Sequence, residues 1–350
     1  MSSFPISRGP LLVLSVLIIL VYVLRAFLSV SSGDSLADSV SMLTWNIWFS
    51  PTKMQERMKA LGKIVSDLHP DILAFQEVTR ESLAFLRKER WFSRYHMIPP
   101  DVTGQENHFV VILSVFPVVS WLVHPFKIAP YKNRKVVWAV TKSAVSSGAE
   151  FIIGTTHLVH AERNTRMREL QLRETLRILS VYENVCVMGD MNIFEGRFKA
   201  DGVVILPSSW TDAWLSVPEN ENKNGYTWNA RKNPFSKFRS NANATYYSNR
   251  CDRVLCKLSD FRVKEIKIVG AELTQSKIVP SDHYGLFTVI ELSENVKHKG
   301  DETSEEVFFK RPLNWEKSIT QEGMVFKVLA NWQTDLNLKM NILDTAHSQE

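Results

Sequence analysis

Cysteine is scarce, with only Cys186, Cys251 and Cys256 in 350 residues. The count is odd and the spacing irregular, so the chain carries neither a disulfide framework nor a zinc-binding pattern, and Cys186, inside an apolar run, reads as core. Charge of one sign is also missing. The formal net charge of +5 permits an anionic substrate without specifying one. No internal repeat interrupts the chain. What remains is 45% apolar and 23% charged, the composition of a folded globular protein with a sizeable core.

The N-terminus departs from that pattern. Residues 10–30 are apolar apart from a few positions, with Arg25 near the end, and this is long enough to cross a bilayer at the short limit. We read residues 1–9 as a short N-terminal segment, 10–30 as a membrane anchor and 31–40 as a linker, with a cleaved signal segment as the competing reading for 10–30. The few flanking charges place the rest of the chain on the lumenal or extracytosolic side. Secretion after cleavage, or a nuclear or cytoplasmic location if the segment is unused, are the alternatives. The sequon Asn243-Ala244-Thr245 bears only on a lumenal chain.

From residue 41 the pattern becomes that of an α/β domain ending near 293, followed by a polar tail over 294–350 with a short amphipathic piece around Met324–Leu329. Ser41–Trp48 alternates and favours a strand. Met54, Met58, Leu61, Val65 and Leu68 recur at helical spacing, Pro70 stops the helix, and Asp71–Glu77 is the next strand. A further helix is expected over Glu81–Arg90. Strands follow over 108–115, 118–124, 135–143 and 151–156, then a helix from Arg163 to Tyr182 whose arginine-rich start reads as a solvated face. The apolar run Val185–Met188 is a buried strand that Gly189 releases into Asp190 and Asn192. Strands resume at 252–256, 261–269 and 285–292.

The polar residues at these strand ends are Asn46, Glu77, His157, Asp190, Asn192, Asp252, Asp282 and His283. Each alone has an ordinary explanation, such as a helix cap for Asp190 or a satisfied buried amide for Asn46. Together they supply oxygen donors with no accompanying cysteine, a set that suits Mg²⁺ or Mn²⁺ rather than zinc. A hard cation, carboxylates and histidines are what phosphodiester hydrolysis requires.

Trp45-Asn46, Gln76-Glu77-Val78, Thr156-His157-Leu158, Gly189-Asp190-x-Asn192 and Ser281-Asp282-His283, in that order, resemble the motif set of the endonuclease/exonuclease/phosphatase superfamily. Within it, Tyr226-Thr227-Trp228, Arg250-x-Asp252-Arg253, Arg166-Met167-x-x-Leu170 and Pro280–Leu286 are similar to the tyrosyl-DNA phosphodiesterase 2 family. The resemblance implies a DNase I-like four-layered α/β sandwich, two mainly antiparallel sheets flanked by helices. It implies a monomeric, Mg²⁺-dependent catalytic domain acting on a DNA 5′ end that carries a tyrosyl adduct. It also implies roles. Glu77, Asn46 and Asp282 would hold or support the metal, and Asp190 would orient the water. Asn192 and His157 would hold phosphate oxygens, while His283, oriented by Asp252, would stabilise the transition state or protonate the leaving group. Trp228, Tyr226 and Arg253 would contact the nucleic acid. The sequence departs from that family at Trp48-Phe49, where an acidic residue is common, at Phe194, where an arginine is common, and in a shorter loop after His157. Sphingomyelin, inositol phosphates or other nucleic-acid ends are the alternative substrates, and an inactive membrane-tethered scaffold is the remaining alternative.

Overall fold

A computed structural model describes residues 39–101, 106–127, 134–141, 150–193, 206–237, 248–272 and 278–294, together with a strand at 325–327. The apolar segment 10–30, the sequon and Phe194 lie outside the described residues. Among the described residues, no helix is long and apolar enough to cross a membrane.

Two sheets face each other. The first has the strand order β13-β14-β1-β2-β4-β3, with β1 at Ser39–Asn46, β2 at Ile72–Val78, β3 at His96–Ile98, β4 at Phe109–Ser114, β13 at Phe261–Val269 and β14 at Gly285–Leu292. The second runs β15-β5-β6-β7-β8-β12-β9. Its strands are β5 Val118–Pro125, β6 Lys135–Thr141, β7 Phe151–His157, β8 Asn184–Asp190, β9 Thr211–Asp212, β12 Asp252–Leu258 and β15 Val325–Lys327. Each sheet has one parallel pair, β1/β2 and β7/β8, and every other pairing is antiparallel. A parallel pair needs a long crossover, and each pair has a helix between its strands: α1 (Met54–Leu68) for the first and α3 (Thr165–Leu179) for the second.

The helices form because their apolar side chains fall on one stripe. Met54, Met58, Leu61 and Val65 of α1 join Leu43, Trp45, Leu73 and Phe75 on the outer face of the first sheet. Leu172, Leu176 and Leu179 of α3 pack with Ile152, Val185 and Val187 on the outer face of the second. Between the sheets, Met42, Ile72, Ala74 and Ile112 meet Val137, Ile153, Cys186, Met188 and Val254. Helix, sheet, sheet, helix is the four-layered sandwich that the motif set implied. All three cysteines are buried and free.

The differences from expectation are local. The helix expected over Glu81–Arg90 stops earlier. It is α2, Arg80–Leu86, opened by a capping box between Thr79 and Ser82, and a separate 3₁₀ turn at Arg90–Arg94 buries Trp91. The helix expected from Arg163 begins with a 3₁₀ turn and becomes α-helical at Thr165. The piece of the tail around Met324–Leu329 contributes β15, an edge strand on β5. Several very short elements escaped the sequence patterns: strands β3 and β9, helix α4 (Ala213–Ser216), strand β10 (Trp228–Asn229), helix α5 (Pro234–Lys237) and strand β11 (Ser248–Asn249).

Candidate active site

The parallel pairs place the polar strand ends together. Asn46 closes β1, Glu77 lies at the end of β2, and His157 and Asp190 close β7 and β8 in register with each other. The antiparallel neighbours bring their first residues to the same edge. Asp252 opens β12 opposite Asp190, and His283 stands just before β14. A crevice at the carboxyl ends of parallel strands is where α/β sheets present chemistry, and here two sheets contribute to one crevice.

Backbone exceptions aim these side chains. Glu77 has φ 56 and sits where the β2–β4 register shifts between Phe75 and Val78, so a bulge turns its carboxylate into the crevice. Trp48 and Asn192 also occupy the left-handed region, at φ 61 and 50. For residues with a Cβ this costs of order 1 kcal/mol or more each. Gly189 is required by close approach. A Cβ there would lie 2.0 Å from the Thr156 carbonyl oxygen, so any side chain would pry β8 from β7 and part Asp190 from His157.

Asp190 is the hub. Its Oδ2 accepts from Asn46 Nδ2 at 2.9 Å, joining the two sheets, and its Oδ1 accepts from the Asn192 backbone N–H at 2.9 Å. His157 Nε2 lies 3.3 Å from Asp190 Oδ2 and 3.9 Å from Glu77 Oε1. His283 Nδ1 meets Asp252 Oδ2 at 2.8 Å, and its Nε2 points back to Asp190 Oδ2 at 3.9 Å. Thr227 fixes the dyad, its Oγ1 accepting the Asp252 N–H and its carbonyl accepting the Tyr284 N–H. Ser281 Oγ donates to the Asn46 carbonyl at 2.6 Å and accepts the His283 N–H at 3.2 Å.

The electrostatics separate the roles. Burial, with Asp252 and Glu77 adding repulsion, raises the Asp190 carboxyl to about 6 against the pull of His283 and Asn46. Burial opposes charge on His283, but Asp252, Asp190 and Asp282 outweigh it and hold the imidazole well above its usual value, as an imidazolium. His157 goes the other way. Burial first, then Arg134 and the neighbouring histidines, keep it neutral. Paired groups pushed in opposite directions are how one site holds a base and an acid at neutral pH.

Four buried carboxylates, Glu77, Asp190, Asp252 and Asp282, face three buried cations, His283, Arg57 and Arg134. The excess of negative charge fits a divalent cation. Glu77 Oε2 accepts the Phe49 N–H at 3.1 Å, leaving Oε1 toward the crevice, and Asn46 Oδ1 accepts the Trp48 N–H at 3.0 Å, which leaves it one further lone pair. Asp190, Asp252 and His283 also bring ligand atoms within 4.8 Å of one another. An imidazolium offers no lone pair, however, so that trio is better suited to handling protons, and Glu77 with Asn46 is the better seat for a metal.

The remaining expected residues divide. Asn192 lies beside Asp190, with Nδ2 donating to the Leu158 carbonyl at 3.0 Å. Asp282 is buried behind the crevice, next to Ser281, and its charge acts on Arg57. Trp228 is half-buried and bridges His283 through the backbone, with Tyr226 half-buried two residues earlier. Arg253 requires correction as a nucleic-acid contact. It is 1% exposed and its Nη1 pairs with Asp212 at 2.8 Å, an ion that also holds Arg250. The pattern could not show this, because Asp212 lies 41 residues away in a stretch with little periodicity.

Arg57 was also missed. Its guanidinium is buried and donates to the carbonyls of Ile47, Trp48, Ser50 and Thr52 and of Pro280, tying the loop after Asn46 to the loop before Ser281. It also covers the Trp48 ring, 4.7 Å from the centroid. Burial lowers its pKa to about 10 against the pull of Asp282 and Glu77. The signal was present: Arg57 stands three residues after Met54 and four before Leu61, inside the apolar stripe of α1.

The profile of the Endonuclease/Exonuclease/phosphatase family matches residues 43–283, from the middle of β1 to His283. The chain belongs to this family. Among curated members, tyrosyl-DNA phosphodiesterase 2 of Rattus norvegicus is 27% identical over 272 residues, covering 74% of this chain and 69% of its own. The 5′-tyrosyl-DNA phosphodiesterase of Caenorhabditis elegans is 24% identical over 260 residues, covering 71% of this chain and 66% of its own. Among solved structures, TDP2 of D. rerio complexed with single-strand DNA product superposes with a TM-score of 0.62 at 20% identity, over 73% of this chain and all of that one. That likeness shows the shared fold, and the family to which all of these belong is one of hydrolases.

Proposed function

We propose that this chain is a Mg²⁺-dependent phosphodiesterase that cleaves the phosphotyrosyl link at a DNA 5′ end, a DNA-repair activity. The observation that carries it is the hydrogen bond from Asn46 to Asp190 across the two sheets, with the Asp252–His283 dyad on one side and Glu77 on the other. The names of the rat and nematode relatives, and the DNA product held by the D. rerio protein, support this substrate.

Glu77 and Asn46 would hold the cation, with Asp282 behind them. A cation held there would supply neutralisation of phosphate oxygen charge. Asp190, ionised at neutral pH but with a pKa near it, orients the attacking water and accepts its proton. His157, neutral, and Asn192 donate to phosphate oxygens. His283 meets the growing negative charge as an imidazolium, kept charged and oriented by Asp252. Trp228, beside His283, stacks on the nucleotide bearing the 5′ phosphate, with Tyr226 next to it.

The test is tyrosine release from a 5′-phosphotyrosyl oligonucleotide by the full-length chain, in Mg²⁺ and in EDTA, with Asp190→Asn as control. Release that requires metal and is lost in the variant is the expected result. A folded, metal-binding protein that leaves this substrate intact but hydrolyses sphingomyelin or an inositol phosphate would refute the DNA reading.

A further inference from the structure

Helix α3 shows solvent a row of arginines. Arg166, Arg173 and Arg177 stand at i, i+7 and i+11, within about 20° of one line on a 3.6-residue helix and about 16 Å from first to last. All three are exposed, as is Arg163 in the 3₁₀ turn just before them. The acids of the same helix are turned inward. Glu169 is 4% exposed and pairs with both Arg166, at 2.7 Å, and Arg173, at 2.9 Å, so one carboxylate holds two guanidinium groups in place. Glu174 is turned onto buried His124 of β5, at 2.7 Å. The outer face of α3 is therefore cationic.

The row ends at an exposed apolar side chain. Val181 is 76% exposed, more than any other large apolar side chain among the described residues. The turn that carries it is anchored on both sides. Lys257 Nζ donates to the carbonyls of Ser180 and Tyr182, each at 2.8 Å, and Trp210 Nε1 donates to Ser180 Oγ at 3.0 Å. Val181 thus stands out from a fixed turn rather than from a fraying helix end. A row of arginines with an apolar tip suits a surface that carries anionic groups over hydrocarbon. We propose that the outer face of α3, from Arg163 to Val181, is a docking surface for an anionic phospholipid bilayer. Lipid phosphates accept from the guanidinium groups, and Val181 enters the boundary below them. A nucleic-acid strand would match the arginines but leave Val181 in water. The apolar segment 10–30 points to the same partner from the sequence, since a chain whose segment enters a bilayer works beside one. The surface is independent of which phosphodiester is cleaved.

The test is partitioning of the full-length chain onto vesicles of phosphatidylcholine alone and of phosphatidylcholine with phosphatidylserine, read by co-sedimentation. Segment 10–30 contributes to both, so the ratio of the two partition coefficients isolates the charged face. Each arginine beside an anionic surface is worth about fivefold. Arg177→Glu changes the face by two charge units and leaves the Arg166–Glu169–Arg173 cluster in place. It lowers the ratio about 25-fold, while Arg177→Lys keeps it. Raising the salt to about 0.5 M removes the preference for anionic vesicles in the wild type. Val181→Ser weakens binding to the anionic vesicles several-fold. Equal binding of the wild type to both vesicles, or an unchanged ratio in Arg177→Glu, overturns the proposal. An Arg177→Glu chain that keeps the ratio but loses affinity for a single-stranded oligonucleotide would assign the row to nucleic acid instead. Vesicle binding is read without turnover, so a chain that binds as expected but releases no tyrosine supports the surface and counts against the proposed function alone.

Discussion

The reassignment of Arg253 from substrate contact to interior ion pair has a measurable consequence. Asp212 is buried, and its carboxylate is shared by Arg250, at 3.1 and 2.5 Å, and Arg253, at 2.8 Å. These hold the start of β12, and so Asp252, against β9 and α4. In Asp212→Asn two guanidinium groups remain in the interior with a neutral amide between them. Breaking a buried pair from one side costs about 3–5 kcal/mol, because the partner charge stays buried. With a urea m-value near 3 kcal/mol/M for a domain of this size, the unfolding midpoint falls by about 1–2 M. The effect depends on pH in a determined direction. Burial alone would raise the Asp212 carboxyl, but Arg253 and Arg250 overcome it and hold the pKa below its ordinary 3.8. A depressed folded pKa gives stability that is complete above the unfolded value and lost as pH falls through the folded one. The gap between wild type and Asp212→Asn is therefore full at pH 7 and narrows below about pH 4. Urea titrations followed by tryptophan fluorescence at pH 7 and at pH 3.5 measure both. A variant with an unchanged midpoint but a raised KM for DNA would refute the structural assignment and return these arginines to the substrate.

Other outcomes follow from the same geometry. Asp252→Asn leaves His283 without the charge that keeps it protonated, and turnover falls about 10²–10⁴-fold with little change in KM, read in steady-state kinetics. Arg57→Gln uncouples the loops after Asn46 and before Ser281, destabilising the domain by about 2–4 kcal/mol and weakening Mg²⁺ binding in calorimetry; Arg57→Lys does not rescue it, since an ammonium cannot reach five carbonyls at once. Because burial raises Asp190 to about 6 in the metal-free protein, Mg²⁺ affinity drops as pH falls through 6 and its binding releases protons, while Asp190→Asn removes that dependence; an affinity flat from pH 5 to 8 would contradict it. Gly189→Ala forces a Cβ onto the Thr156 carbonyl and lowers both stability and turnover, seen as a reduced melting temperature.

The fold was legible where periodicity is strong. The stripes of α1 and α3 and the apolar runs of β2, β7 and β8 are set by burial on both faces of the sheets, and burial leaves its mark on residue type. The cluster of polar strand ends was legible for a different reason. Asn46, Glu77, His157 and Asp190 interrupt those runs at their last positions, where a buried polar side chain has no packing purpose. What the chain hid are partners distant in sequence. Nothing near Arg253 announces Asp212, and nothing near Phe49 announces His108, which reaches it from the loop before β4. The end of α2 was missed because alternating charge over Arg87–Arg90 suits a helix and a surface turn equally.

The same contrast explains why reaction class is better determined than substrate. The charged groups of the crevice are buried, mutually hydrogen-bonded and fixed by strand register, so replacing any one of them leaves a neighbour unsatisfied at a cost of about 1–3 kcal/mol or more. An exposed side chain such as Phe49 carries less of that constraint. An exposed ring can be exchanged with little effect on stability, so the rim can change its preference while Asp190, His283 and Glu77 stay as they are. Trp48-Phe49 lies one step outside the constrained set: its backbone serves Glu77, while the Phe49 ring stays partly exposed.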